Sequence, residues 1–243
     1  MEKGGLPISS QLSSSALAAI EEIRHVDREC SDFFKELRKF YPVISGAPYP
    51  ETYRLLVLPL LYSLWERCFT ICHAIGLRLL RDSSANAYAM KATERAIWLI
   101  RAPFYQSLVG KLTVQPSSET NQKPKRGQFA ALCDFLKELD SWHSSALDTS
   151  IDTGELVITF SNVNPEVVEL NAKAIGIWDS HYFKAIKLGR LNDLVGRRNE
   201  IGHGAVIAPP PNAQFVELWE YAENLVKAYC NAFVCWITCD PRF

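Results

Sequence analysis

The sequence predicts an all-α bundle with additional helices and one short β element. Three observations predict it. Apolar residues recur at three- and four-residue steps through most of the 243 residues. Helix-start and helix-stop residues bracket those runs. Only Leu156 to Phe160, with its β-branched Val157-Ile158-Thr159, reads as a strand. Hydrophobic residues make up 48% and charged residues 22%, enough for a sizeable core and incompatible with global disorder. The expectation is six to eight helices in one domain over residues 16–243, after a flexible arm at 1–15.

Ala16 to Tyr41 carries Leu17, Ile20, Ile23 and Val26, then Phe33, Phe34, Leu37 and Phe40, at helical spacing. Pro42, Gly46, Pro48 and Pro50 end that helix in a loop. Glu51 to Arg81 is apolar nearly all round, which predicts the buried central helix, with Pro59 kinking it or marking its true start. Ala87 to Leu112 is helical with a break at Pro103. Residues 113–127 (TVQPSSETNQKPKRG) read as a mobile loop, and Gln128 to Leu139 resumes helical spacing through Phe129, Leu132, Phe135 and Leu136.

Asn164-Pro165-Glu166 supplies an N-cap, a first-position proline and a first-turn acid, so a helix starts there and runs to about Ile175. Tyr182 to Ile201 holds one or two helices, with Gly202 as the stop. After Pro209-Pro210-Pro211, Ala213 to Trp236 forms the last helix, expected to pack antiparallel on Glu51–Arg81.

The net charge of −1 argues against a protein that wraps long nucleic acid with a broad basic face. Any nucleic-acid surface must be local, and Arg190, Arg197 and Arg198, with Lys184 and Lys187 upstream, form the basic cluster. The seven cysteines include no CxxC pair and suggest free thiols in a reducing cytoplasm. Cys68, Cys72 and His73 offer three ligands without an evident fourth, so no metal is expected. No signal peptide is apparent at the N-terminus. Leu55 to Leu80 contains Glu66, Arg67, His73 and Arg78, which argues against a bilayer span.

Gly196-Arg197-Arg198-Asn199-Glu200-Ile201-Gly202-His203-Gly204 concentrates the chemistry. Taken alone it also reads as a helix end, where cationic side chains meet the negative end of the dipole. On an unbroken helix Arg198 and His203 would point roughly 140° apart. If the helix stops at Gly202, His203 turns back and both face one cleft. Histidine moves protons near neutral pH, and arginine grips phosphate oxygens while keeping its charge. The other histidines, His25, His73, His143 and His181, lack partners at ligand or triad spacing.

Arg198-Asn199 followed by His203-Gly204 resembles the Arg-x4-His signature of the HEPN superfamily. So do Leu191-Asn192-Asp193-Leu194-Val195, Asn162-Val163-Asn164-Pro165-Glu166-Val167, Ile175-Gly176-Ile177 and Leu61-Tyr62-Ser63-Leu64-Trp65-Glu66. The likeness is to the MAE-type and RiboL-PSP branches, spans residues 55–236, and is dense at 162–204. It implies a HEPN-like helical bundle that dimerises face to face and cuts RNA without metal or cofactor, leaving a 2′,3′-cyclic phosphate. It further implies a toxin–antitoxin or anti-phage setting, with an antitoxin or defence-system partner protein. In that scheme Arg198, His203 and Asn199 are catalytic, and Arg197 and Arg190 bind substrate. Glu66 supports the site from behind or simply pairs with an arginine. The alternative is a non-catalytic HEPN module for interaction or nucleotide binding.

Overall fold

The computed structural model describes residues 12–40, 47–112, 126–204 and 208–243. The expected arm (through residue 11), most of the first proline loop and the polar loop at 113–125 lie outside the described residues. The described residues form nine α-helices and two 3-10 turns with no strand. These are α1 (Ser14–Phe40), α2 (Glu51–Ser83), α3 (Ala92–Arg101), α4 (Pro103–Leu112), α5 (Arg126–Ser144), α6 (Pro165–Ala174), α7 (His181–Lys184), α8 (Leu191–Gly202) and α9 (Asn212–Cys239). The count is one above the expected range; the break at Ala102 falls beside the expected one at Pro103, and short α7 separates from α8.

The expected strand is absent. Thr153–Leu156 is a 3-10 turn capped by the Asp152 side chain, and extended backbone follows it. Ile158 pairs with a side-chain amide, that of Asn171, rather than with a neighbouring strand. A β-branched run forms a ladder only where a second strand lies alongside.

Three long helices make the core. Tyr62, Trp65, Cys68, Phe69 and Cys72 of α2 are fully buried, with Phe215, Tyr229 and Phe233 of α9 and Ile23 and Phe34 of α1. Each such side chain contributes about 1.5–3 kcal/mol by leaving water. α2 is, among the described residues, the one helix long and apolar enough to cross a membrane. Half of that apolar window is buried inside the bundle. It begins at Glu51 and continues through Pro59, so the proline does not mark its start.

α2 and α9 run parallel, contrary to expectation. Tyr53 meets Phe215, Trp65 meets Tyr229 at 4.9 Å, and Gly76 lies against Phe233 and Trp236. Both chains therefore climb in the same direction. α1 is antiparallel to each: Glu29 pairs with Arg67 and Glu22 with Arg78, while Arg38 pairs with Glu223. A short connection forces antiparallel neighbours, whereas the long excursion from 84 to 211 lets the chain return to the same end.

On α1 Ile20, Ile23, Val26, Phe34 and Leu37 are buried as expected, and the stripe differs at its margins. Ala16, Ala19 and Cys30 are buried, and Leu17, Phe33 and Phe40 are exposed. The far end of the bundle is tied by a buried acid. Glu94 is fully buried and both of its carboxylate oxygens accept from Arg242 Nη1, at 2.8 and 3.0 Å, while Arg242 Nε and Nη2 donate to Asp240.

Candidate functional site

The site is built where α8 and the turn before α6 dock on α2. Leu191, Leu194 and Val195 bury the inner face of α8, which leaves Arg197, Arg198 and Asn199 half-exposed. The segment 162–164 is pinned from below by two aromatic residues of α2. The Val163 amide donates to the Tyr62 hydroxyl at 2.8 Å, and the Trp65 indole N–H donates to the Val163 carbonyl at 3.1 Å. The Asn164 side chain then caps α6 by accepting from the Val167 amide, as expected from the sequence.

Arg198 lies between these pieces. Its guanidinium is 5.3 Å from the centroid of the Tyr62 ring and donates to Asn162 Oδ1 at 3.4 Å and Asn199 Oδ1 at 3.1 Å. Both acceptors are neutral amides, so they orient the guanidinium without cancelling its charge. Among the described residues Arg198 has no carboxylate partner. Its neighbours differ: Arg190 pairs with Glu217 at 2.8 Å and Asp193 at 3.7 Å, and Arg197 pairs with Glu200 at 3.4 Å. Lys184, Arg190 and Arg197 of the expected basic cluster are answered within the chain, while Arg198 and Lys187 have no carboxylate partner among the described residues.

Glu66 connects to this arrangement through Tyr62, whose hydroxyl donates to Glu66 Oε1 at 3.3 Å. Burial pushes the Tyr62 phenol up to about 12, so it stays protonated and keeps donating. The simple ion pair with Arg67 is not formed, because Arg67 reaches Glu29. A groove of about 480 Å³ opens at Asn162 and Asn199, the two amides that hold Arg198, and is also lined by Phe160, Asn164, Glu166 and Leu170.

His203 is exposed at the end of α8. Its amide donates to the Asn199 carbonyl at 2.9 Å, and its φ of −87° and ψ of 7° keep it on the helical path. α8 ends at Gly202, as the sequence predicts, with His203 as its C-cap, and the left-handed residue is Gly204, with φ +69°. That stop does not bring His203 back to Arg198. Within one chain no hydrogen bond, ion pair or ring contact joins Arg198 to His203 among the described residues. Their positions differ by roughly 140° around the helix and about 7.5 Å along it.

The structure joins residues that the motif left apart: Tyr62 and Asn162, both in stretches that drew attention, hold Arg198 across long sequence separations. It does not bring Cys68, Cys72 and His73 together. Cys68 and Cys72 meet Cys230 of α9, with their sulfurs within 4.8 Å of one another, in the closed apolar core. His73 instead hydrogen-bonds the Tyr229 hydroxyl at 3.0 Å. Hydrogen bonding to Cys230, with burial added, pushes the Cys68 and Cys72 thiols up, and the same hydrogen bonds push Cys230 down to about 4. All seven cysteines are unpaired.

A family model described as RiboL-PSP-HEPN matches residues 21–238. No curated protein and no solved structure gives a significant match.

Proposed function

The chain belongs to the RiboL-PSP-HEPN family, and from that premise we propose that it is a metal-independent endoribonuclease acting through Arg198, Asn199 and His203 as a homodimer. The observation that carries the reading is the open cation: Arg198 is half-buried, fixed by two amide oxygens over an aromatic ring, and unneutralised. Such a fixed guanidinium favours an anion, and a phosphodiester matches its planar donors.

The reaction needs little further apparatus because RNA carries its own nucleophile. The 2′-hydroxyl attacks the adjacent phosphorus while the 5′-oxygen of the next nucleotide leaves. A base takes the 2′ proton and an acid returns one to the leaving oxygen, giving a 2′,3′-cyclic phosphate and a 5′-hydroxyl. His203 is the proton-transfer group, and Arg198 holds the charge that grows on the phosphoryl oxygens. Asn199 keeps Arg198 in place.

Because Arg198 and His203 diverge within one chain, the working site combines two copies. An isologous two-fold brings the His203 of one protomer toward the Arg198 groove of its partner, and this is the commonest form of closed assembly. Such a groove accommodates single-stranded RNA. An antitoxin or other defence-system partner would act by covering it.

The test is cleavage of single-stranded RNA by purified protein. Activity is expected to survive EDTA, to vanish on DNA and on RNA with a 2′-methoxy group at the cut site, and to leave cyclic phosphate ends. Cleavage of DNA, or activity lost with chelator and restored by Mg²⁺, defeats the proposal. Wild-type protein that dimerises and binds nucleotides or a partner without cutting RNA supports the non-catalytic module instead.

A further inference from the structure

Phe160 occupies a conformation that its surroundings impose and its own side chain does not repay. Its φ is +47°, and it is the one non-glycine residue with positive φ among the described residues. L side chains rarely enter this region, and a bulky aromatic there is an outlier. The ring is 75% exposed, so it gains little from the core.

The loop holds it there from both sides. Before it, Ile158 is clasped by Asn171: the Ile158 amide donates to Asn171 Oδ1 at 3.0 Å, and Asn171 Nδ2 donates to the Ile158 carbonyl at 2.7 Å. Asn171 is itself buried and also tied to the Val167 carbonyl. After it, Val163 is clasped by Tyr62 and Trp65. Only four residues bridge the two anchors, and Phe160 projects at their crest. Outliers maintained in this way point toward function.

The exposed ring lines two grooves, one at the amides that hold Arg198 and one that reaches Arg101. The first groove contains Asn162, Asn199 and Glu166, and the second Ile100, Arg101, Gln106 and Glu155. Arg101 donates to the Glu155 carbonyl and, among the described residues, has no carboxylate partner. An exposed aromatic flanked by open arginines is the pattern that tracks a single strand, with bases stacking on the ring and phosphates meeting the cations.

We propose that Phe160 is a nucleobase-stacking residue: the base beside the phosphate held by Arg198 lies on its ring, and the strand continues past it toward Arg101. This rests on the ribonuclease reading and adds where the strand runs. The test uses full-length protein and a short RNA carrying 2-aminopurine, with 2′-methoxy groups throughout so that binding is measured without cleavage. Wild-type protein quenches the fluorescence. Phe160→Ala and Phe160→Gly each weaken binding about 10-fold or more and abolish the quench, while Phe160→Trp retains both. Phe160→Gly melts higher than Phe160→Ala, since glycine takes positive φ without strain, so lost binding is separated from lost folding. Wild-type protein that cuts RNA, with Phe160→Ala binding and quenching unchanged, overturns this inference alone. So does a Phe160→Ala protein that loses dimer in sedimentation while each remaining dimer binds RNA normally, since the ring would then be a subunit contact. Wild-type protein that neither binds nor cuts RNA defeats the ribonuclease reading, and this one with it.

Discussion

The Arg198 guanidinium sits 5.3 Å from the centroid of the Tyr62 ring, so the charge proposed to hold phosphate rests on a side chain of the central helix. The same phenol accepts from Val163 and thereby fixes the turn that carries Asn162. One buried tyrosine therefore orients both the cation and one of its oxygen partners.

Removing that hydroxyl should be costly in two ways. Tyr62→Phe keeps the ring beneath Arg198 but leaves the buried Val163 amide without its acceptor. A loss of about 1–3 kcal/mol in urea unfolding is expected, with reduced RNA cleavage as Asn162 loses its register. A Tyr62→Phe protein as stable as wild type would show that the turn is held by something else.

Arg198→Ala and His203→Ala should each lose about 10²-fold or more in cleavage rate. Both should fold, and Arg198→Lys should be impaired because an ammonium cannot reproduce the planar fork. Co-refolding the two inactive variants is the decisive measurement. If Arg198 and His203 act across the two-fold, half the dimers hold one complete site, and roughly a quarter of wild-type activity returns. Failure to recover any activity would place the pair within one chain.

Stability should depend on pH through His73. Burial pushes its imidazole down to about 3, against an ordinary value near 6.5 in the unfolded chain. Between these values the unfolded chain binds the extra proton, so stability falls as pH drops from about 6.5 toward 3. His73→Gln should flatten that part of the pH profile in thermal melts. An unchanged slope would assign the acid sensitivity to other groups.

Arg242→Met leaves the carboxylate of Glu94 buried without its cation. Breaking a buried pair in this way costs about 3–5 kcal/mol, and the melting temperature should fall clearly. Adding Glu94→Gln should restore much of the loss. Two single variants with wild-type melting would mean that water reaches Glu94.

Much of the fold was legible because it depends on local chemistry. The three-to-four spacing of α1, α2 and α9 and the Asn164-Pro165 start of α6 are visible within a few residues of sequence. What was not legible depends on partners far along the chain. Val157-Ile158-Thr159 has strand composition, yet Asn171 takes the place of a neighbouring strand. The direction of α9 on α2 is set by a long excursion whose return point no local signal reveals. At the site, the motif identified Arg198, Asn199 and His203. The role of Tyr62 and Asn162 arises only when α2, the 162–164 turn and α8 meet, and the Gly202 stop of α8, legible in the sequence, does not bring His203 to Arg198.

The parallel pairing of α2 and α9 also has a consequence for synthesis. A chain emerging from the ribosome N-terminus first makes α2 early, but the face of α2 that meets Tyr229 and Phe233 stays bare until α9 appears. Every residue of the candidate site, from Tyr62 to His203, is translated before the helix that closes the core beneath them. The newborn polypeptide thus carries the residues of the candidate site on an unfinished support, and assembly of the groove becomes one of the last events of its making.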